Sequence, residues 1–361
     1  TGAGEAKELF MQARAAYLAR SPEDFRQATS AFIAAVRRIG PGLEKTYPRQ
    51  RTIDLEVAYN RWAPFSLAWI LSLTAFLCLL PAMAARSKAF SIAGLALFAA
   101  SLAAMLVGFG MRGAISGRVP VTNLYESVVF AAFGAMAFGL VFGLLARKQY
   151  VFAASAVVAT LALLLADYCP SVLDPRIRPL MPVLRSNFWL AVHVITIMLS
   201  YGDFAVAWAI GNITLACYLL GFTKRETINV LCWLTYKLLQ AGVLLLVVGT
   251  ILGALWADYS WGRFWGWDPK EVWALVTLLG YLAVLHARPA GWIGNRGLVA
   301  WSVICFCLVV ITWYIANMLP GLHEYGLSGG GQIYVWGAIS LQLLYVLAAV
   351  ARSAVGKRTA Q

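Results

Sequence analysis

The residues best suited to bind a flat ligand are concentrated in one segment, residues 256–273, which reads WADYSWGRFWGWDPKEVW. Indole rings are large and rigid, so several of them can cover a planar aromatic molecule at a small cost in side-chain entropy. Two glycines, Gly262 and Gly266, let the backbone approach such a molecule closely. The alternative is an aromatic belt at a membrane interface, but a belt spreads tryptophan over many helix ends. We predict a ligand-binding surface built from Trp256, Trp261, Trp265, Trp267 and Trp273.

Two of the three histidines flank this tryptophan segment in the chain. His193 lies in SNFWLAVHV at the start of one apolar run, and His323 lies in MLPGLHEYG just past the end of another. Neutral imidazoles that face each other across an aromatic surface can ligate a haem iron from both sides. The alternative is that each histidine is a polar residue at the membrane interface. We predict that His193 and His323 are ligands of a haem iron.

The third histidine, His286, follows Pro269 by 17 residues, which corresponds to about 25 Å of helix at 1.5 Å per residue. It is therefore predicted to lie near the membrane face opposite the tryptophan segment. An ionisable residue in a membrane helix is a candidate functional residue, because its burial needs a compensating partner or ligand. The alternative is an imidazole that reaches the interface beside Arg288. A bis-histidine site at that depth needs a second ligand from another polypeptide or from sequence before residue 1.

A haem also carries two carboxylates, which basic residues can bind. The outer candidates are Arg263, Lys270, Arg176, Arg178 and Arg185. Within the tryptophan segment, Asp268 can cap a helix with Pro269 in its first turn and Glu271 as the capping-box partner. We therefore predict a helix–loop–helix corner, with Asp268 among the ligand-binding residues.

The composition is that of a polytopic membrane protein. Of the 361 residues, 61% are hydrophobic and 12% are charged, and the mean hydropathy is +0.73, outside the range of soluble domains. The net charge is +13. In a membrane protein such a charge comes from basic loops that set the topology and from basic groups that bind acidic ligands or lipids. We therefore predict a lipid bilayer as a partner, and no nucleic acid. The six cysteines form no CxxC pair, and we predict neither a disulfide framework nor a zinc site.

Nine apolar runs are long enough to cross about 30 Å of hydrocarbon, which predicts an all-α polytopic helical bundle. They cover residues 62–84, 89–111, 126–146, 150–167, 188–222, 237–256, 269–287, 297–319 and 333–351. The fifth run is too long for one straight crossing, so we expect a kink at Gly202 and Gly211 or an end beyond the membrane. Asp203 in this run is expected to bind a neighbouring helix or to lie on a route from the cytoplasmic side.

The short loops predict the orientation, because cytoplasmic loops carry more lysine and arginine. One side carries twelve, namely Arg86, Lys88, Arg147, Lys148, Lys224, Arg225, Lys237, Arg288, Arg296, Arg352, Lys357 and Arg358. The other carries seven, namely Arg112, Arg118, Arg176, Arg178, Arg185, Arg263 and Lys270. The first side is predicted to face the cytoplasm of a cytoplasmic (inner) membrane, together with the C-terminus. The tryptophan segment and the N-terminal segment then face the periplasm or exterior.

The predicted domains are an extracytoplasmic helical segment over residues 1–61, a membrane domain over 62–351 and a cytoplasmic tail over 352–361. In the first, helical periodicity predicts a small hairpin, whose second helix begins at Ser21–Pro22 and ends near Gly40, and a short third helix after Thr52. The chain lacks an initiator Met and a signal peptide. Residue 1 is therefore expected to be an internal point of a longer chain or a product of trimming.

The tryptophan segment resembles the WWD domain of the haem-handling proteins of cytochrome c maturation, on the residues WGRFWGWDPKE at 261–271. With the order His193, WWD, His286, His323, the chain is most similar to the CcsA (ResC) family of the system II pathway, over residues 62–351. The segment GRVPVTNLYES, residues 117–127, is similar to that family's outer loop. In fused CcsBA proteins such a sequence follows a CcsB (ResB) half.

The resemblance implies that His193 and His323 are the external ligands of a b-type haem. It implies that His286 is one of two ligands of a transmembrane haem, whose other ligand comes from CcsB. Haem would move from the cytoplasmic side to the outer site and be attached by thioether bonds to the CXXCH motif of an apocytochrome c, as in a holocytochrome c synthetase. The implied partners are CcsB or ResB, fused or separate, the apocytochrome and a thioredoxin-like reductant of the apocytochrome.

Three rival functions remain open at this point. A haem-free structural subunit would leave the tryptophan segment unexplained. A CcmC-like protein would load haem onto a chaperone without attaching it to a cytochrome, but the additional helices and His286 favour the CcsA family. A quinone oxidoreductase subunit with b-type haem would need two bis-histidine haems, and three histidines cannot supply four ligands.

Overall fold

The computed structural model describes residues 2–44, 47–180, 184, 186–222, 224–323 and 331–358, with side chains described as far as residue 352. The fold prediction is confirmed: the protein is an all-α polytopic bundle, and the described residues contain nine helices long and apolar enough to cross a membrane. The chain divides into two compact units, Thr1–Trp62 and Ala63–Gln361.

The first unit contains three helices, α1 (Gly2–Leu18), α2 (Pro22–Leu43) and α3 (Gln50–Trp62). Helices α1 and α2 pack through aromatic pairs, in which the Phe10 and Phe32 rings lie 5.8 Å apart. Proline at the first position of α2 supplies a helical φ and lacks only an N–H that would have no partner there.

The second unit contains the membrane helices. They are α4 (Pro64–Ala85), α5 (Lys88–Ser116), α6 (Leu124–Ala146), α7 (Gln149–Tyr168), α8 (Ile195–Leu220), α9 (Arg225–Trp261), α10 (Pro269–Ala287), α11 (Asn295–Trp313) and α12 (Gln332–Arg358). Helix α8 is central, because it packs against α6, α7, α9, α11 and α12.

The long fifth run is not kinked at Gly202 or Gly211, which was the first of the two expectations for it. Helix α8 is continuous through both glycines, and the irregular backbone lies earlier, in a π-helical turn at Leu190–Val194 that contains His193. The glycines instead allow close helix packing, as small residues do between membrane helices. A Cβ at Gly202 would lie 2.6 Å from the Ala131 carbonyl oxygen of α6, and one at Gly211 would lie 2.8 Å from Ser302 Oγ of α11.

Helix α9, the sixth of the membrane helices, is much longer than the apolar run predicted over residues 237–256. It has 37 residues and includes Trp256 and Trp261 in its last turns. No proline interrupts residues 225–261, and the helix ends at Gly262, which has a φ of +68° and donates its N–H to Asp258 O at 2.8 Å. The connecting loop is therefore only residues 262–268, and much of the tryptophan segment is helical.

Candidate functional site

Residues from α6, α8, α9, α10 and the segment after α11 line one cavity in the membrane unit, with a volume of about 540 Å³. This volume lies within the range of small-molecule and cofactor sites. The lining includes His193 and His323, which are 130 positions apart in the chain, and the indoles of Trp256, Trp261 and Trp265. The structure thus brings His193, His323 and three of the five predicted tryptophans together.

His193 is held by the backbone of α9. Its Nδ1 lies 2.8 Å from Gly249 O, so Nδ1 carries the proton and donates to this carbonyl. The imidazole packs over Gly253, where a Cβ would lie only 2.6 Å from Cε1, and its ring centroid is 5.7 Å from that of Trp256. A hydrogen bond at Nδ1 fixes the tautomer that offers Nε2 as a metal ligand.

His323 is held by Asp268, the residue that caps α10. Its Nδ1 lies 2.9 Å from Asp268 Oδ1, and its ring meets Trp261 edge to face at 5.0 Å and 83°. The same carboxylate accepts the Lys270 N–H at 3.1 Å through Oδ1 and the Leu322 N–H at 2.7 Å through Oδ2. The predicted capping box with Glu271 is confirmed. Asp268 thus joins the start of α10 to the histidine.

The surroundings of this pair shift the pKa of both groups downward. Burial lowers the pKa of His323, and nearby Lys270 lowers it further, against the opposing effect of Asp268. Burial acts to raise the pKa of Asp268, but hydrogen bonds from the Lys270 backbone and from His323 outweigh it, so that the net pKa is lowered. A neutral imidazole therefore faces a carboxylate at neutral pH, as in the outer shell of many metal-binding histidines.

The other two tryptophans of the predicted surface lie elsewhere. Trp267 has a φ of +58° and is 70% exposed, with its ring 6.0 Å from Trp265. Trp273 packs against a cluster that contains Cys307, Ile311 and Ile339. Among the described residues, neither indole lines the cavity, because Trp267 is turned outward by its backbone and Trp273 lies one turn into α10. Of the five predicted tryptophans, three line the cavity.

Arg263, a predicted carboxylate-binding cation, is engaged within the loop. Its guanidinium lies 3.0 Å from Glu271 Oε1 and over the Trp261 ring at 5.7 Å. Glu271 Oε2 also accepts the N–H groups of Gly266 at 2.8 Å and Asp268 at 3.1 Å. Glu271, which sequence reasoning treated only as a capping residue, therefore holds the whole tryptophan loop.

One lysine, Lys270, lines the cavity. Its ammonium group donates to Asn317 Oδ1, and it interacts electrostatically with both His193 and His323. Arg176 and Arg178 also line the cavity, but both pair with Asp174, and hydrogen bonding from Arg176 lowers the pKa of that carboxyl to about 2. The remaining candidate, at position 185, lies outside the described residues.

The loop before α6 forms another wall of the cavity. A buried ion pair anchors it, with Arg112 Nε 2.6 Å from Glu126 Oε1. Glu126 Oε2 accepts the N–H and the hydroxyl of Thr122 at 2.6 and 2.7 Å, and Asn123 caps α6. Sequence reasoning missed this role of Arg112, although the motif at 117–127 marked the loop.

His286 is not part of the cavity. It lies at the far end of α10, is exposed, and donates from Nδ1 to Leu282 O at 2.7 Å. Sixteen residues separate it from Lys270, which corresponds to about 24 Å of helix.

The donor set of the cavity suits an iron porphyrin. It combines two imidazoles with engaged Nδ1 atoms, three indoles and one ammonium group. The indole Nε1 of Trp256 is buried without a hydrogen-bond partner among the described residues, which is uncommon unless a ligand group satisfies it. Fold and site together define a polytopic membrane protein with a bis-imidazole, indole-lined cavity.

Comparisons with known proteins agree with this class. Residues 121–323, more than half of the chain, match the family described as cytochrome C assembly protein. The chain is 34% identical over 249 residues to a cytochrome c biogenesis protein CcsA of Guillardia theta, an alignment that covers 60% of this chain and 80% of that one. It is 32% identical over 297 residues to protein NrfI of Wolinella succinogenes, of which it spans 32%.

The chain therefore belongs to the cytochrome c assembly protein family, and this supports a role in cytochrome c maturation. Its fold is similar to that of a solved cytochrome c haem lyase, CcmF, with a TM-score of 0.53 at 18% identity. That match covers 80% of this chain and 50% of CcmF.

Proposed function

We propose that the chain binds haem between His193 and His323 and presents it for thioether attachment to the CXXCH motif of an apocytochrome c, as in system II maturation. The observation that carries the proposal is the shared cavity, in which two imidazoles are each held at Nδ1 by a fixed acceptor. The CcsA relatives, named for cytochrome c biogenesis, support it.

Each element of the cavity has a role in this proposal. The histidines ligate the iron, while Gly249 and Asp268 orient their rings. The indoles of Trp256, Trp261 and Trp265 pack against the macrocycle, and the Lys270 ammonium group binds a haem carboxylate. Holding the iron on both sides also limits oxygen chemistry at open coordination positions.

The attachment step uses the reactivity of the haem itself. Each vinyl group of the haem accepts a cysteine thiol, so that a C–S bond forms and the thiol proton is transferred to the other vinyl carbon. The histidine of the client motif replaces one protein ligand and places both thiols beside the vinyl groups. The chain contributes position and orientation, which supply most of the acceleration in such a step.

The proposed setting is a cytoplasmic membrane with the cavity on the outer side. The sequence places twelve basic residues towards one membrane face and seven towards the other, and this bias supports the orientation. His286 is exposed on α10, as expected for a ligand of a second, transmembrane haem completed by CcsB or ResB. A thioredoxin-like reductant would keep the client cysteines reduced.

Absorption spectroscopy of the purified protein tests the proposal. His193→Ala and His323→Ala should each lower haem content and remove the low-spin bis-histidine spectrum, and added imidazole should restore it. Asp258→Asn is the control, because this exposed residue of α9 does not line the cavity, and it should leave this spectrum intact. Full haem occupancy in both cavity variants, or no response to imidazole, would contradict the assignment.

Co-expression with an apocytochrome c tests the attachment step separately. With CcsB present and no haem chaperone, the wild-type chain should yield covalently bound haem on the cytochrome, and His323→Ala should not. Haem bound to the chain without any covalent product would favour delivery to a chaperone.

A further inference from the structure

Among the described residues, the basic side chains that line the cavity are Arg118, Arg176, Arg178 and Lys270. Arg176 and Arg178 both form ion pairs with Asp174. Arg118 and Lys270 form no ion pair with any residue that the structure describes. Lys270 has a role in the proposed function, as the residue that binds a haem carboxylate. The unmatched charge of Arg118 has no role yet.

The short loop between α5 and α6 places Arg118 at the cavity wall. Gly117, the residue before it, ends α5 with a φ of +68°. The carbonyl oxygen of Arg118 accepts the Ser116 hydroxyl at 3.2 Å. Further along the loop, Val121 packs in a buried cluster with Trp256, another residue of the cavity wall. The backbone is therefore fixed on both sides of Arg118.

A carbonyl oxygen holds the guanidinium of Arg118. Its Nη2 donates to Arg178 O at 2.6 Å, and this hydrogen bond joins the loop before α6 to the segment that follows α7. Its Nε is buried and has no hydrogen-bond partner among the described residues. The contact with Arg178 uses one of the five N–H donors of a guanidinium, so Nη1 and the second hydrogen of Nη2 stay available to a ligand.

Glu126, an acid near Arg118, is already bonded to other groups. Its Oε1 lies 2.6 Å from Arg112 Nε, and its Oε2 accepts the N–H and the hydroxyl of Thr122 at 2.6 and 2.7 Å. Arg118 is half-buried, and a buried charge is costly unless a partner compensates for the loss of water. A carboxylate of a ligand in the cavity would be such a partner.

We propose that Arg118 binds the second carboxylate of the haem, while Lys270 binds the first. The inference rests on the proposed function and adds a specificity to it, because a cavity with two such cations favours a porphyrin that carries two free carboxylates. Arg118 lies in the loop before α6 and Lys270 lies in the first turn of α10, so different elements hold the two cations. The planar fork of a guanidinium also matches the two oxygens of a carboxylate.

Titration of the purified haem-free protein with haem and with haem dimethyl ester, followed by absorption, tests this assignment. The diester keeps the iron and the macrocycle but has no carboxylate charge. Arg118→Gln should bind haem about tenfold more weakly than the wild type does, because it lacks a hydrogen-bonded charge pair, and should bind the diester as the wild type does. If Arg118 only joined the two loops through Arg178, the variant would bind both ligands more weakly by the same factor.

Arg147→Gln is the matched control. Arg147 follows α6 at the end opposite Arg118, is exposed and does not line the cavity. The variant removes the same charge from the protein, and its affinities for haem and for the diester should both equal those of the wild type. A loss of haem affinity as large as that of Arg118→Gln would attribute the effect to net charge and overturn the assignment.

The two monomethyl esters of haem decide the question in the wild-type protein if Arg118→Gln does not fold. If Lys270 alone binds a carboxylate, the tighter-binding monoester should match haem, because its free carboxylate can still reach Lys270. If Arg118 binds the second carboxylate, both monoesters should bind about tenfold more weakly than haem.

The outcomes separate this inference from the proposed function. Equal losses for haem and diester in Arg118→Gln, or a monoester that binds as tightly as haem, would overturn the role of Arg118 while haem binding stands. A wild-type protein that binds neither haem nor its diester would refute the proposed function, and the role of Arg118 with it.

Discussion

Replacement of Asp268 by asparagine separates the orientation of His323 from the capping of α10. Asparagine is as good an N-cap as aspartate, so the helix should still begin at Pro269. The structure requires two acceptor oxygens at this position, because Oδ1 serves His323 and the Lys270 N–H while Oδ2 serves the Leu322 N–H. Asparagine has one acceptor oxygen. Either the histidine or the Leu322 N–H must therefore lose its partner, at a cost of about 1–3 kcal/mol.

The effect on haem binding follows from the loss of this outer-shell contact. Removal of a carboxylate that orients a histidine ligand weakens metal binding about 10–100-fold, which corresponds to about 1.4–2.8 kcal/mol. Titration of the haem-free protein with haem, followed by absorption, measures the change. Asp258→Asn is the control, because this exposed residue lies on the last turns of α9, and its affinity should match the wild type. An affinity of Asp268→Asn within about twofold of wild type would show that Asp268 does not orient a ligand.

Three further predictions concern the walls of the same cavity. Gly253→Ala should reduce haem content by more than about tenfold, since the new Cβ would lie 2.6 Å from His193 Cε1. Gly110→Ala is the control, because nothing lies within 4 Å of its new Cβ, and it should bind haem normally. The amount of haem bound per protein molecule measures both effects. Arg112→Met should destabilise the protein by about 3–5 kcal/mol, because Glu126 is left as a buried charge. The double variant Arg112→Met/Glu126→Gln should regain much of this stability, and thermal unfolding measures both variants. The contribution of His323 to the free energy of unfolding of the haem-free protein should be fully present above about pH 6.5, the ordinary pKa of histidine. It should fall as the pH drops, because the folded pKa of His323 is lowered and the unfolded chain binds its proton first. Unfolding followed from pH 8 to pH 5 measures this, and His323→Ala should remove that part of the pH dependence.

Several features of the fold could be predicted because they depend on residues close in sequence. The nine membrane helices follow from runs of apolar residues of membrane-spanning length. The start of α10 follows from Asp268, Pro269 and Glu271, which interact within one helical turn. The concentration of tryptophan, with His193 and His323, also pointed to the part of the chain that lines the cavity.

The end of α9 was less predictable. A helix end is decided by small differences between a last turn and a loop, and polar or aromatic residues such as those of WADYSW are compatible with both. In the structure the helix ends at Gly262, which adopts a positive φ as the C-cap residue.

The amino-acid sequence by itself determined the number of membrane helices, the capped corner at Asp268 and the identity of the imidazoles and indoles available to a ligand. The tertiary structure alone decided which of them meet. His193 hydrogen-bonds to the Gly249 carbonyl oxygen, 56 positions away in the chain, and His323 hydrogen-bonds to Asp268, 55 positions away. Helix packing likewise stacks Tyr281 of α10 on Phe204 of α8. Such contacts depend on how helices distant in the chain pack against one another, which local propensity and hydropathy do not encode.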